Sequence, residues 1–254
     1  MAIAQELDSQ EGILPGIIFP PGDLYSDEPP LETELHLRQI ILLLTCLEWL
    51  WRDRNDFYAA GNLTIYYSPH QRKSEYFRGP DFFVVLGTQR KTRKSWVVWE
   101  EDGKYPNVIL EILSDSTAKT DKGLKKEIYQ DTFRTFDYFW FDPYTLEFVG
   151  FHLVDGKYQP LQSNEQGQLW SQQLGLYLGV YQGLLRFFTS DGQLIPTPEE
   201  TAQQTEQRLE QVEQKAQQTE ERLEQIEQKA QQEADKAERL AAKLRELNID
   251  PDTI

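Results

Sequence analysis

Val108-Ile109-Leu110-Glu111-Ile112-Leu113-Ser114 is the stretch that decides the fold. An apolar run entered through Lys104-Tyr105-Pro106 and closed by the polar residues 114–117 reads as a buried strand. One acid, Glu111, sits inside it, where an unpaired carboxylate would be costly. Upstream, Pro80-Asp81-Phe82-Phe83-Val84-Val85-Leu86 repeats the arrangement, with an acid at the mouth of a second apolar run. Downstream, Asp121-Lys122-Gly123-Leu124-Lys125-Lys126-Glu127-Ile128-Tyr129 belongs to a helix expected over 118–132, which leads into the apolar strand Asp137-Tyr138-Phe139-Trp140-Phe141-Asp142-Pro143. A helix between two apolar strands is the crossover of a parallel pair, so the expected class is α/β with a mixed central sheet flanked by helices.

Working outward, Leu35, Ile40, Leu43, Leu44, Leu47, Leu50 and Trp51 recur at helical spacing and predict an amphipathic helix from about Leu31 to Arg54. Asn62 to Tyr67 and Ser95 to Glu100 read as strands, the second joined by a turn at Asp102-Gly103 to the strand at Val108. Residues 146–154 and 157–161 flank Asp155-Gly156 as a hairpin, and short strands are expected at 174–177 and 184–188. Residues 1–30, rich in Pro, Gly and acids, read as an extended arm, and 31–196 as the α/β domain.

All six Trp precede residue 190, whereas 197–247 has neither aromatic residues nor Gly. Gln203 to Ala216 (QQTEQRLEQVEQKA) is repeated as Gln217 to Ala230 (QQTEERLEQIEQKA), a period of two heptads. With Leu209, Ala216, Leu223, Ala230, Ala237 and Leu244 at a, position d holds Thr205, Val212, Thr219, Ile226, Glu233, Leu240 and Leu247. The expectation is a coiled-coil helix over 197–248, followed by a short tail at 249–254, that pairs the chain as a homodimer; a solitary solvated helix is the alternative.

The net charge of −16 divides between 197–254, where 15 acids meet 8 bases, and 1–196, where 27 meet 18. The global field therefore repels phosphate, and nucleic-acid contact would need local patches such as Arg90-Lys91-Thr92-Arg93-Lys94 and Lys119 to Lys126. A lone Cys46 and three scattered His exclude a disulfide framework and a zinc motif, and fit a reducing cytoplasm. The longest apolar patch, Ile40 to Trp51, is too short to span a bilayer.

Two carboxylates can hold one or two Mg²⁺ ions that polarise a phosphodiester and acidify the attacking water, and an ammonium nearby can orient that water or balance charge. Asp81 and Glu111 with the lysine helix supply those parts. The bland reading makes each acid a solvated or lysine-paired group; taken together the set points to chemistry.

Pro80-Asp81, Glu111-Ile112-Leu113-Ser114 with Ser116-Thr117, Asp121-Lys122-Gly123 with Lys125 and Tyr129, and Tyr138 to Pro143, in that order, resemble a restriction-endonuclease-like family abundant in cyanobacteria, within the PD-(D/E)XK nuclease superfamily. The resemblance spans about residues 21–196. It implies a restriction-endonuclease-like core and Mg²⁺-dependent DNA cleavage, with Mn²⁺ as a substitute. It also implies Asp81 and Glu111 as metal ligands and catalytic acids, the Ile112 backbone carbonyl as a third ligand, and His36, favoured over Glu32 and Glu34, as a ligand from the first helix. Leu113 stands where the E-x-K lysine belongs, and the resemblance gives that role to Lys125. Lys126, rotated by about 100° on an ideal helix, would point elsewhere. The other reading is a degenerate nuclease fold kept as a coiled-coil interaction or scaffolding module. It predicts that the acids diverge or are occluded.

Overall fold

The computed structural model describes residues 24–26, 33–68, 79–114 and 118–246. The expected arm at 1–30 and the tail at 249–254 lie almost wholly outside them. Two compact units divide after Pro198.

In the first unit a six-stranded sheet forms in the order β1-β3-β5-β6-β7-β8. Its strands are β1 (Phe57–Gly61), β3 (Phe82–Leu86), β5 (Val108–Ile112), β6 (Asp137–Phe141), β7 (Phe148–Val154) and β8 (Lys157–Pro160). The β5–β6 pair is parallel, in the register Glu111 opposite Trp140, and every other pair in this sheet is antiparallel. The sheet is therefore mixed, and the helix over 118–133 makes the crossover as expected. β9 (Leu169–Ser171), β10 (Leu176–Tyr181) and β11 (Leu184–Phe188) form a second, antiparallel sheet.

Strand alternation sends side chains to two cores. Phe82, Val84, Val108, Leu110, Ile112, Phe139 and Phe141 pack with the first helix (α1, Glu34–Leu50) and the three-stranded sheet. Phe83, Val85, Ile109, Tyr138 and Trp140 pack with Trp96, Tyr129 and Phe133 on the opposite face. Glu111 shares that second parity, so it faces the helix over 118–133. Gln39 ties α1 to β11: its amide nitrogen donates to the Leu185 carbonyl (2.9 Å) and its oxygen accepts from the Leu185 amide (3.0 Å). Gly61 is required where α1 crosses β1, since a Cβ there would overlap the Ile40 side chain.

Several expectations need correction. The helix starts at Glu34, later than 31, because Thr33 caps it, its side chain accepting from the His36 amide, and it ends at Leu50, short of 54, with Trp51 as its C-terminal cap. Phe57–Gly61, for which no element was expected, is the edge strand β1, whereas the strand expected over 62–67 shrinks to β2 (Ile65–Tyr66). Ser95 to Glu100 forms only β4 (Trp96–Val97) before a 3₁₀ turn at Val98–Glu100. No hairpin links β4 to β5: β4 pairs in parallel with β2, and β5 takes β3 and β6 as neighbours. Aromatic alternation in 95–100 marks burial between layers there, not a sheet partner. The Asp155-Gly156 hairpin forms, with φ of 49° and 79° at its two turn residues.

The second unit is one helix, Pro198–Glu246, of 49 residues with no buried side chain. Among the described residues no helix is long and apolar enough to cross a membrane.

Candidate functional site: an acid–lysine centre

Four elements meet at Glu111. Asp81 immediately precedes β3, Glu111 lies within β5, His36 is in the first turns of α1, and Asp121, Lys125 and Tyr129 come from the helix over 118–133. That helix departs from α geometry in two π-type segments, Asp121–Lys125 and Tyr129–Phe133. In an ideal α-helix a side chain drifts by about 40° every four residues. Wider turns reduce that drift, so Asp121, Lys125 and Tyr129 stay in one row facing the sheet, a use of π geometry common at functional sites.

The Lys125 ammonium bridges Asp121 Oδ1 (2.8 Å) and Glu111 Oε2 (3.0 Å). Tyr129 donates its hydroxyl to Glu111 Oε1 (2.6 Å), and the Asp81 amide lies 3.4 Å from Glu111 Oε2. Asp81 Oδ1 is 3.0 Å from His36 Nε2, and Oδ2 accepts from the Ile112 amide at 2.7 Å. Tyr138 donates to the Asp121 carbonyl, fixing the start of the helix. Glu111 and Asp121 have no exposed side-chain surface, and Lys125 and His36 have 7% each.

The electrostatics follow from this burial. Desolvation pushes the Glu111 carboxyl well above its ordinary range, and Asp81 and Asp121 push the same way against Lys125 and Tyr129. Burial acts upward on Asp81 too, but the His36 hydrogen bond, Lys125 and the Ile112 amide together hold its carboxyl low. Burial would lower the Lys125 ammonium; Glu111, Asp121 and Asp81 outweigh it and raise it. Tyr129, buried beside Glu111, is raised well above the usual phenol value and so remains a donor.

The structure thus brings together His36, Asp81, Glu111 and Lys125. Glu34 does not join them and pairs on the surface with Arg38. Glu32, Ser116 and Thr117 lie outside the described residues. Ile112 contributes its amide, not the expected carbonyl, to the hydrogen bonds seen here. Lys126 points away and sits 3.5 Å from the centre of the Phe151 ring. Asp121 and Tyr129 were legible only as parts of a motif. Their four-residue spacing about Lys125 is the signal that places them.

Several cations of the expected basic patches have protein partners, although Arg90, Lys91, Lys94, Lys119 and Lys122 are exposed. Arg93 stacks on Tyr58 and Trp96 at 4.6 and 4.8 Å and forms two bonds to Glu101, while Arg90 lies over Phe57. Lys122 sits over Trp140 at 4.0 Å and reaches Glu147.

An oxygen-rich donor set suits a hard cation such as Mg²⁺. Three carboxyl groups, those of Asp81, Glu111 and Asp121, also share the single ammonium of Lys125, so acids outnumber cations at the centre. The arrangement is a different matter: both oxygens of Asp81 and both of Glu111 already hold protein partners. Among the described residues no group of three or more His, Cys, Asp or Glu side chains is placed to hold a metal ion. The residues match a divalent ion in charge and not in geometry.

A family model described as Uma2, putative restriction endonuclease, matches residues 14–186. The chain belongs to this family. A crystal structure described as a putative nuclease from Anabaena variabilis is similar at 11% identity over 57% of this chain and 76% of that one, with a TM-score of 0.43. No curated protein matches. Family membership and the mixed sheet with its flanking helices agree with the restriction-endonuclease-like class expected from sequence.

Proposed function

We propose that this chain is a nuclease-fold protein whose acid–lysine centre is closed on itself, and that it works as an interaction module through its C-terminal helix. One observation carries the reading: the carboxylates that would hold a metal are saturated by Lys125, Tyr129, His36 and two backbone amides. Lys125 supplies the positive charge at the centre where a divalent ion would otherwise do so. The burial of Arg93 against Glu101, Tyr58 and Trp96 supports it further, because that guanidinium is not held ready for phosphate. The domain limits that go with this reading are 31–196 for the α/β unit and 197–248 for the coiled coil, in a cytoplasmic protein.

The surplus of acids over cations favours a second reading, a Mg²⁺-dependent DNA endonuclease. There Asp81, Glu111, the Ile112 carbonyl and His36 would hold the ion, which would polarise the phosphodiester. Lys125 would position the attacking water, and pairing through the tail would present two sites to two strands. Calorimetric titration with Mg²⁺ and Mn²⁺ separates the two. The closed centre predicts no heat of binding at this site; binding lost in Asp81→Ala and Glu111→Ala would favour the nuclease.

A further inference from the structure

The tail helix carries its orientation in its charges. In the heptad frame set by Leu209 and Leu223 at a, every g position from 208 to 243 is a cation: Arg208, Lys215, Arg222, Lys229, Lys236 and Lys243. Position e holds Glu206, Glu213, Glu220 and Glu227, then Ala234 and Ala241. The seam between these rows is uncovered in the helix. Leu209, Val212, Leu223, Ile226 and Leu240 are each between 54% and 58% exposed, an apolar stripe on a solvated helix.

We infer that a second copy of this chain covers the stripe, parallel to the first and in register. This rests on the interaction-module reading and adds the geometry to it. In a parallel pair each g residue faces the e residue of the following heptad on the partner helix, and such pairs set orientation. Arg208 then meets Glu213 of the second copy, Lys215 meets Glu220 and Arg222 meets Glu227, with the symmetric three on the other side. An antiparallel pair sets g against g and e against e. Since every g from 208 to 243 is a cation and e holds only Glu or Ala, an antiparallel pair opposes cation to cation along one flank and forms no opposite-charge pair along the other.

Register follows from the layers. Without a shift Leu209, Leu223, Val212, Ile226 and Leu240 each meet themselves. A shift of one heptad sets Leu209 against Ala216 and Leu223 against Ala230, opening gaps in the core. A shift of two heptads matches Leu209 to Leu223 but sets Leu223 against Ala237, and it leaves fourteen residues of each helix unpaired. Glu233 at d is the one layer that opposes like charges in this register. Parallel pairing also brings the two Pro198 ends, and so the junctions to the two globular units, to the same end. Leu at a with β-branched residues at d also packs in larger parallel bundles, and the flanking charges specify the same orientation there.

Val212→Cys in the full chain, oxidised in air, tests it. A disulfide joining position 212 of one copy to position 212 of the other, mapped by peptide mass spectrometry, is the expected result. Position 212 lies well to one side of the middle of Pro198–Glu246, so an antiparallel pair that overlaps along the whole helix keeps its two copies far apart; Cys46 is buried in the globular unit and does not compete. A chain that sediments as a dimer but gives no such link overturns the orientation and leaves the interaction module standing. A chain that stays monomeric at tens of micromolar overturns both. As a second arm, Glu206, Glu213, Glu220 and Glu227 changed together to Lys should weaken association by more than about tenfold. Adding Arg208→Glu, Lys215→Glu, Arg222→Glu and Lys229→Glu should restore it. Unchanged association in the first of these, or no recovery in the second, contradicts the proposal.

Discussion

Two buried acids on neighbouring parallel strands have met burial in opposite ways. Glu111 on β5 faces the helix over 118–133 and shares its space with two further carboxylates and a single ammonium. Asp137 opens β6 and points the other way: Oδ1 lies 2.6 Å from His152 Nδ1, and Oδ2 accepts from Ser171 Oγ (2.6 Å) and the Gln173 amide (3.0 Å). One acid with three partners is a complete hydrogen-bonded joint, here between β6, β7 and the three-stranded sheet. Three acids sharing one cation remain short of positive charge however well they are bonded. The surplus of acids over cations, not burial, separates a candidate site from a structural acid.

Lys125→Ala should show the difference most strongly. It leaves three buried carboxylates uncompensated and should cost about 3–5 kcal/mol in urea unfolding. Added Mn²⁺ should recover part of the loss, since a divalent ion can take the ammonium's place; at the Asp137 joint it should do nothing. Asp137→Ala comes next, at about 2–4 kcal/mol, because Ser171 and the Gln173 amide lose their acceptor inside the protein. That penalty should be independent of divalent ions.

Glu111→Gln should have the smallest effect and the opposite sign, leaving stability unchanged or raised by up to about 1 kcal/mol at pH 8. Its clearer signature is in pH. The folded-state pKa of Glu111 is raised above the unfolded value of 4.5, so the folded form binds the proton more tightly. Below that value both states are protonated and nothing is lost; as pH rises through the folded pKa, stability falls. Urea midpoints followed from pH 5 to 9 should decline in the wild type and flatten in Glu111→Gln. An equal decline in both would mean that Glu111 is already ionised.

Much of this could be read from the chain. The apolar runs of β3, β5 and β6 and the parallel crossover follow from patterns whose cause is local, and so do Asp81, Glu111 and Lys125 as acids and a cation out of place. The edge strand β1 escaped notice because Phe57-Tyr58-Ala59-Ala60-Gly61 lacks alternation; its partner β3 supplies the order. The Asp137 joint was hidden because His152 and Ser171 are distant in sequence from Asp137, and nothing local links the three. That Lys125 closes the site is a matter of two π-type segments, which no periodicity announces.

Cleavage of supercoiled, linear and single-stranded DNA by the purified full chain, with and without Mg²⁺ or Mn²⁺, tests the closed centre most directly. Asp81→Ala, Glu111→Ala and Lys125→Ala run beside the wild type. The account predicts no metal-dependent cleavage by the wild type. Cleavage by the wild type that disappears in all three variants would contradict it and make the acid–lysine centre a working nuclease site.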